Sequence, residues 1–207
     1  MSNISIIGTG NMARTIGTLA IAGGNTVEVI GRDQSKAADL AKTLGGSTTT
    51  GEFGAVPAGD IVIVALLYAS VVPVVAQYGN ALAGKVIVDI CNPFNSAGDG
   101  LAIPDGTSIA QEVAKAAPDN ASVVKAFNTV FQVVLAKGQP LDVFIAGDDA
   151  QAKAQVSTLI ESLGMHPMDA GPLPMARALE NAALLQQGLV AHSVKHTNFV
   201  LGVNILR

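Results

Sequence analysis

The feature that most constrains the fold opens the chain: Asn3 to Arg14, reading N-I-S-I-I-G-T-G-N-M-A-R. Ile4, Ile6 and Ile7 form a short run of branched apolar residues, as in a strand covered on both faces. The run stops at Gly8-Thr9-Gly10-Asn11-Met12-Ala13, a G-x-G-x-x-A turn, and Met12, Ile16, Leu19 and Ala20 then follow at helical spacing. Each small residue has a mechanical task. Gly8 permits the tight turn, Gly10 lets a phosphate approach the backbone, and Ala13 lets the helix lie close to the strand. The unpaired N–H groups and positive dipole end of that helix then face a diphosphate. A glycine turn means little alone, but between a strand and a helix it reads as the start of a dinucleotide-binding unit.

The rest of the chain repeats the alternation. Thr26 to Ile30 reads as a second strand and Gln34 to Leu44 as a helix, with Gly45 to Gly54 as loop holding at most one helical turn. Asp60 to Ala65 is a third strand and Ser70 to Tyr78 a helix. Lys85 to Ile90 is a fourth strand, followed by an irregular stretch from Cys91 to about Thr107 and a helix over Ser108 to Ala116. Val123 to Phe127 and Asp142 to Ala146 are strands five and six. Asp149 to Leu163 is a helix, His166 to Asp169 a short last strand, and Met175 to about Lys195 one long helix. This order predicts an α/β fold, a doubly wound parallel sheet with right-handed crossovers. The expected division is a Rossmann domain over 1–171 and a small C-terminal helical portion with its tail over 172–207. The tail, Phe199 to Leu206, is apolar enough to predict packing against the sheet or a second subunit.

Composition narrows the class of function. With 49% apolar residues in 207, a large core is available and disorder is excluded. The single cysteine, Cys91, forms no internal disulfide, which fits a reducing cytoplasm. A net charge of −4 argues against nucleic acid and anionic membranes as partners. No basic and apolar leader opens the chain, so the expected location is cytoplasmic. The uncharged run from Ile61 to Ala76 falls short of the ~18–20 residues of a membrane helix. Tyr68, Ser70 and Pro73 divide it into strand, loop and helix.

The end of the second strand selects the dinucleotide. Folds that prefer NAD place Asp or Glu there, on the ribose hydroxyls. This chain has Gly31, then Arg32, with Lys36 four residues further on. A guanidinium grips a 2′-phosphate bidentately and stacks on adenine, so the expected cofactor is NADP(H). The bland alternative for Arg32 and Lys36 is a solvated surface pair near Asp33.

Ala65 ends the third strand and Leu66 and Tyr68 follow it; Asn92 follows the fourth and Asn128-Thr129 the fifth, where carboxyl ends of parallel strands meet a ligand. Cys91 lacks a neighbouring base and reads as a small buried residue. His192 and His196 share a helical face, but a surface or subunit contact fits them better than a metal. Arg177 and Glu180 have the spacing of an intrahelical ion pair. No Ser/His/Asp set, carboxylate pair or lysine in a catalytic setting stands out. Hydride passed between two rings needs mostly proximity and orientation.

Six segments then carry a resemblance: G-T-G-N-M-A at Gly8 to Ala13, G-R-D-Q-S-K-A at Gly31 to Ala37, D-I-C-N-P at Asp89 to Pro93, K-A-F-N-T at Lys125 to Thr129, A-G-D-D at Ala146 to Asp149, and D-A-G-P-L at Asp169 to Leu173. In order and spacing the chain resembles the NADPH-dependent deazaflavin (factor-420) reductases. The cytosolic domains of six-transmembrane ferric reductases, which use an ordinary flavin, look alike. The resemblance implies hydride transfer between NADPH and a deazaflavin ring, with no side chain acting covalently, in what is often a homodimer. It implies Thr9, Arg32 and Lys36 near the 2′-phosphate and Asn128 near the stacked rings. The expected site is therefore Gly8, Thr9, Gly10, Asn11, Met12, Ala13, Gly31, Arg32, Lys36, Ala65, Leu66, Tyr68, Asn92 and Asn128, without a metal. Two alternatives stand beside it: an NADPH-dependent reductase of FMN, FAD or a small carbonyl or imine compound, and a non-catalytic NADPH sensor.

Overall fold

The computed structural model describes residues 1–206. β1 (Asn3–Ile7), α1 (Asn11–Ala22), β2 (Thr26–Ile30), α2 (Gln34–Leu44), β3 (Thr48–Gly51), β4 (Ile61–Val64), α3 (Tyr68–Tyr78) and β5 (Val86–Asp89) form the first half. α4 (Ile109–Ala116), β6 (Ser122–Lys125), α5 (Gln132–Leu135), β7 (Asp142–Gly147), α6 (Ala150–Ser162), β8 (His166–Asp169) and α7 (Ala176–Leu189) complete it. The eight strands make one sheet in the order β3-β2-β1-β4-β5-β6-β7-β8. This is the doubly wound arrangement, and its order reverses between β1 and β4.

The period-two alternation of strands explains the apolar runs. Ile4, Ile6, Ile61 and Ile63 face one core with Ile16, Ala20 and Leu159. Ile7, Val62 and Val64 face the other with Val71, Val75 and Leu82. Because both faces are covered by helices, every position of the central strands is apolar or internally paired.

Three expectations are corrected. Gly45 to Gly54 contains β3, an edge strand pairing Val27 with Thr48 and Ile30 with Gly51. Its threonines favour extended backbone, but their outward faces leave no apolar alternation to read. The sheet is not wholly parallel: β7 runs antiparallel to β6, with Lys125 opposite Ala146. Between those strands the chain forms only the single turn α5, not a full crossover helix, and β7 enters reversed. The last long helix is three pieces: a 3₁₀ turn at Leu173–Met175, α7, and a π turn at Val190–Val194 that ends with Lys195 at φ 64°. The tail meets the rest of the fold at two points. Phe199 packs edge-on against Phe131 with centroids 5.4 Å apart, and the Val203 N–H donates to Asp142. Ile205 and Leu206 are exposed. Among the described residues no helix is long and apolar enough to cross a membrane.

Candidate active site

At the switch point the carboxyl ends of β1 and β4 touch. Gly8 has φ +135°, and a Cβ there would lie 2.3 Å from the Ala65 carbonyl oxygen. Only glycine fits that turn and that approach together. Gly10 differs: a Cβ on it would meet nothing within 4 Å. Its open side faces the crevice.

Three adjoining hollows run along this carboxyl edge. The first, about 200 Å³, is walled by Gly8, Thr9, Gly31, Arg32, Lys36 and Phe53. The second, about 430 Å³, lies between Gly10, Asn11 and Met12 on one side and Ala65, Leu66 and Tyr68 on the other. The third, about 200 Å³, is bounded by Phe94, Phe127, Phe131, Asn128 and Gln186. Leu66 is shared by the first two, and Met12, Ile90 and Asn92 by the last two. A larger hollow of about 510 Å³ sits at the opposite edge around Asn3, Thr26 and Glu28. There the strands begin, and the buried Glu28 carboxylate is already taken by the Ser5 hydroxyl and the Ala58 N–H. Ligands of open α/β sheets occupy the carboxyl side, so the three smaller hollows form the candidate site.

Helix capping makes the middle hollow suited to an anion. α2, α4 and α6 begin on Asp33, Ser108 and Asp149, whose side chains accept backbone N–H bonds of the first turn. α5 and α7 lack such an acceptor, and so do α1 and α3, which begin on Gly10 and Leu67 with no acid in the first turn. Both of these starts border the 430 Å³ hollow. Their free N–H groups and dipole ends suit the two negative charges of a diphosphate.

At the first hollow, a Cβ on Gly31 would meet the Thr9 methyl at 2.9 Å and the Asp33 carbonyl oxygen at 3.2 Å. An acid at that position has no room. Asp33 is also occupied, because its carboxylate accepts from the Ser35 hydroxyl at 2.7 Å and from the Ser35 and Lys36 N–H groups. Those bonds hold its carboxyl below the usual aspartate range. Lys36 Nζ lies 3.8 Å from Asp33 in an exposed pair, while Arg32 has no ion-pair partner among the described residues. These residues fit the 2′-phosphate of NADP(H) better than the bare ribose of NAD(H).

The far end of the crevice is organised by contacts that sequence reading missed. Asn128 Nδ2 donates to Asn92 Oδ1 at 2.9 Å, and Asn92 Nδ2 donates back to the Asn128 carbonyl at 2.8 Å. Asn128 Nδ2 also donates to the Leu179 carbonyl at 3.0 Å, tying α7 to the strand ends. Phe127, one residue before, sits at φ 59° although it is a large aromatic. Such a conformation costs roughly 1–3 kcal/mol and persists only where its surroundings enforce it.

Beneath this clamp lies a sealed ionic cluster. Lys125 Nζ donates to Asp89 at 2.7 Å, to the Cys91 carbonyl at 2.6 Å and to Glu180 at 3.0 Å, and all three charged side chains are 0% exposed. Glu180 in turn accepts from the first N–H of α4, at Ile109. Burial opposes the charge on Lys125, but Asp89 and Glu180 outweigh it and hold the ammonium above the usual lysine value. Burial pushes Glu180 up, with Lys125 only partly offsetting it. Burial, reinforced by Asp89, also raises the Cys91 thiol well above its ordinary value, so it is no nucleophile. The signal was in the sequence: Asp89 and Lys125 are opposite charges inside apolar strands, and they are register partners.

The remaining candidates disperse. Arg177 and Glu180 do not pair; Arg177 reaches Asp105 and the Pro104 and Thr107 carbonyls. His192 and His196 are exposed on the π turn and beyond it, and no cluster of metal-ligating side chains exists among the described residues. Tyr68 opens α3 half-buried on the rim of the middle hollow, and Thr129 is buried behind Asn128.

Known proteins resemble this chain in sequence and in fold. Residues 3–93 match the family described as NADP oxidoreductase coenzyme F420-dependent. The F420-dependent NADP reductase of Methanocaldococcus jannaschii is 31% identical over 155 residues, covering 71% of this chain and 68% of that protein. The rat metalloreductase STEAP3 is 33% identical over 184 residues, or 86% of this chain, but this chain spans only 35% of its length. A solved structure from Arthrobacter sp. FB24, described as a candidate F420-dependent NADP-reductase, superposes with a TM-score of 0.86 at 25% identity. It covers 99% of this chain and 100% of its own. With the fold and crevice already described, these likenesses place the chain in the coenzyme F420-dependent NADP oxidoreductase family, and it is an NADP-dependent oxidoreductase.

Proposed function

We propose that this protein passes a hydride between NADP(H) and a flat ring acceptor, foremost an 8-hydroxy-5-deazaflavin. One observation carries the reading. The three hollows form a continuous crevice that is cationic at Arg32, lined by uncapped N–H groups in the middle, and aromatic at the far end.

NADPH supplies the hydride when bound. Arg32, with Thr9 and Gly31 beneath it, holds the extra phosphate and sets the choice of nucleotide; Lys36 adds a second, solvated charge. Gly8, Gly10, Asn11, Met12 and Ala13 shape the turn on which the diphosphate rests. Ala65, Leu66 and Tyr68 form the opposite wall, and Asn92 and Asn128 fix the end where the rings stack. Orientation is what the protein contributes, because hydride passing from ring to ring needs close, aligned partners more than an acid or base. The Asn92–Asn128 clamp and the cluster beneath it keep that end stiff.

Anaerobic stopped-flow mixing of the protein with NADPH and, in turn, deazaflavin, FMN, FAD and a panel of imines and carbonyls tests the reading. Rapid NADPH oxidation with deazaflavin supports it. Fast transfer to FMN or FAD alone makes the protein a flavin reductase instead. Turnover of only imines or carbonyls overturns ring transfer. Tight NADPH binding without turnover of any acceptor makes the protein a sensor.

A further inference from the structure

The third hollow contains polar groups that the fold leaves unused. Asn128 is 6% exposed and Gln186 2%, yet Asn128 Oδ1 and Gln186 Nε2 are buried without a hydrogen-bond partner. A buried polar atom left unpaired costs about 1–3 kcal/mol, and these two belong to residues that line one hollow, so a ligand seated there that pairs with them recovers that cost. The identity of the Asn128 acceptor is fixed, because flipping its amide would lose the bonds to Asn92 and Leu179. Nothing fixes the Gln186 amide, whose terminal torsion is broad and presents either its N–H or its C=O. The same hollow carries Phe94, Phe127 and Phe131, three of the six phenylalanines in the chain. Its volume of about 200 Å³ lies below the ~300 Å³ where whole-ligand pockets begin, so it takes one end of a ring. The remainder of that ring lies over the middle hollow, which shares Met12, Ile90 and Asn92 with it.

We propose that Asn128 and Gln186 read the edge of the acceptor ring: Asn128 Oδ1 accepts from a ring imide N–H, and Gln186 donates to a flanking ring carbonyl. That alternation belongs to a fused pyrimidinedione, the edge that flavins and 5-deazaflavins share. Quinones and simple carbonyl or imine compounds lack it. The inference rests on the ring-acceptor reading above and assigns Gln186, on α7, as the residue that selects the acceptor class. A nicotinamide carboxamide carries similar groups, but the aromatic lining and the position beyond the diphosphate hollow favour the acceptor.

The test compares lumiflavin with 3-methyllumiflavin, in which a methyl group replaces the imide hydrogen. Each is titrated into the NADP⁺-saturated full chain and followed by flavin fluorescence, and each is then used as the acceptor in NADPH oxidation. Methylation is expected to weaken binding by about tenfold, as the unpaired Asn128 acceptor loses its donor. In Gln186→Leu, lumiflavin should bind several-fold more weakly and the penalty for methylation should shrink, while the NADP⁺ Kd stays within about twofold. Equal affinity of the two flavins for the unaltered protein overturns the proposal without needing any variant, as does failure to bind either one. Loss of NADP⁺ affinity in Gln186→Leu, with flavin binding unchanged, gives this edge to the nicotinamide and also overturns it. The expected binding ratio without hydride transfer sinks the transfer reading but leaves the edge standing; equal transfer to both flavins does the reverse.

Discussion

At one end of the crevice Arg32 and Lys36 stand in solvent; at the other Lys125, Asp89 and Glu180 are sealed from it. Both ends use basic groups, yet the physics differs. Water screens the exposed pair, so its value for the fold is small and its value for a ligand depends on contact. The sealed cluster interacts strongly but has lost all hydration, so it holds only while complete. The first end can vary with little harm to folding. The second belongs to the scaffold as well as to the site, because the helix it anchors also supplies Leu179 and Gln186.

Lys125→Met breaks the comparison most severely. It leaves Asp89 and Glu180 buried without their cation, and unfolding in urea should show a loss of about 3–5 kcal/mol. A loss under 1 kcal/mol would mean that water reaches the cluster. Glu180→Gln sharpens the point through pH. Native Glu180 titrates above its ordinary 4.5, so over that window the folded state holds a proton that the unfolded state has released. Stability from this group is therefore lost as pH rises from about 4.5 through the raised value. Subtracting the urea-derived pH profile of Glu180→Gln from that of the unaltered protein should show this fall. A difference that rises with pH instead would reverse the assignment.

The exposed end predicts the opposite pattern. Arg32→Asp should leave the urea midpoint nearly unchanged, within about 0.5 kcal/mol. NADPH should bind roughly ten- to a hundredfold more weakly, for the loss of a charge-assisted bond, and NADH should become the preferred nucleotide. Titration of both nucleotides decides it, and unchanged preference would show that the arginine does not meet the phosphate. Gly10→Ala should act in the same sense but less strongly. Its Cβ enters open space in the free protein, so folding is spared, while NADPH binding falls about fivefold to tenfold as the methyl crowds the diphosphate.

How far the sequence revealed each end follows from the same contrast. The Gly8 to Ala13 turn and Gly31-Arg32 are local signals, each set by neighbours within a few residues, and the strands around them carry clear apolar runs. The far end is assembled from β5, β6 and α7, positions up to 91 residues apart when Asp89 is set against Glu180. The spacing of Arg177 and Glu180 resembled a helical ion pair, yet each side chain has a distant partner instead. Helical periodicity marks Gln186 as one more position on a half-apolar helix; its unused amide is visible only after packing. β3 was missed because an edge strand needs no apolar face, and β7 was misdirected because strand direction depends on the connection, not on the residues of the strand.

Lys36→Gln is the finest test of the difference between contact and field. The ammonium lies 3.8 Å from Asp33, with 70% and 51% of the two side chains exposed, so the pair itself contributes little to folding. On the proposed reading, the lysine offers NADPH a second positive charge beside the phosphate assigned to Arg32. Its removal should weaken binding only about two- to threefold at low salt. Near 1 M salt, where the screening length shrinks to about 3 Å, that small difference should vanish. The Arg32→Asp effect should persist there, because it rests on direct hydrogen bonds as well as charge. Isothermal titration at both ionic strengths separates the two. A Lys36→Gln loss as large as that of Arg32→Asp, and equally resistant to salt, would make the lysine a direct phosphate ligand and end its description as a solvated charge.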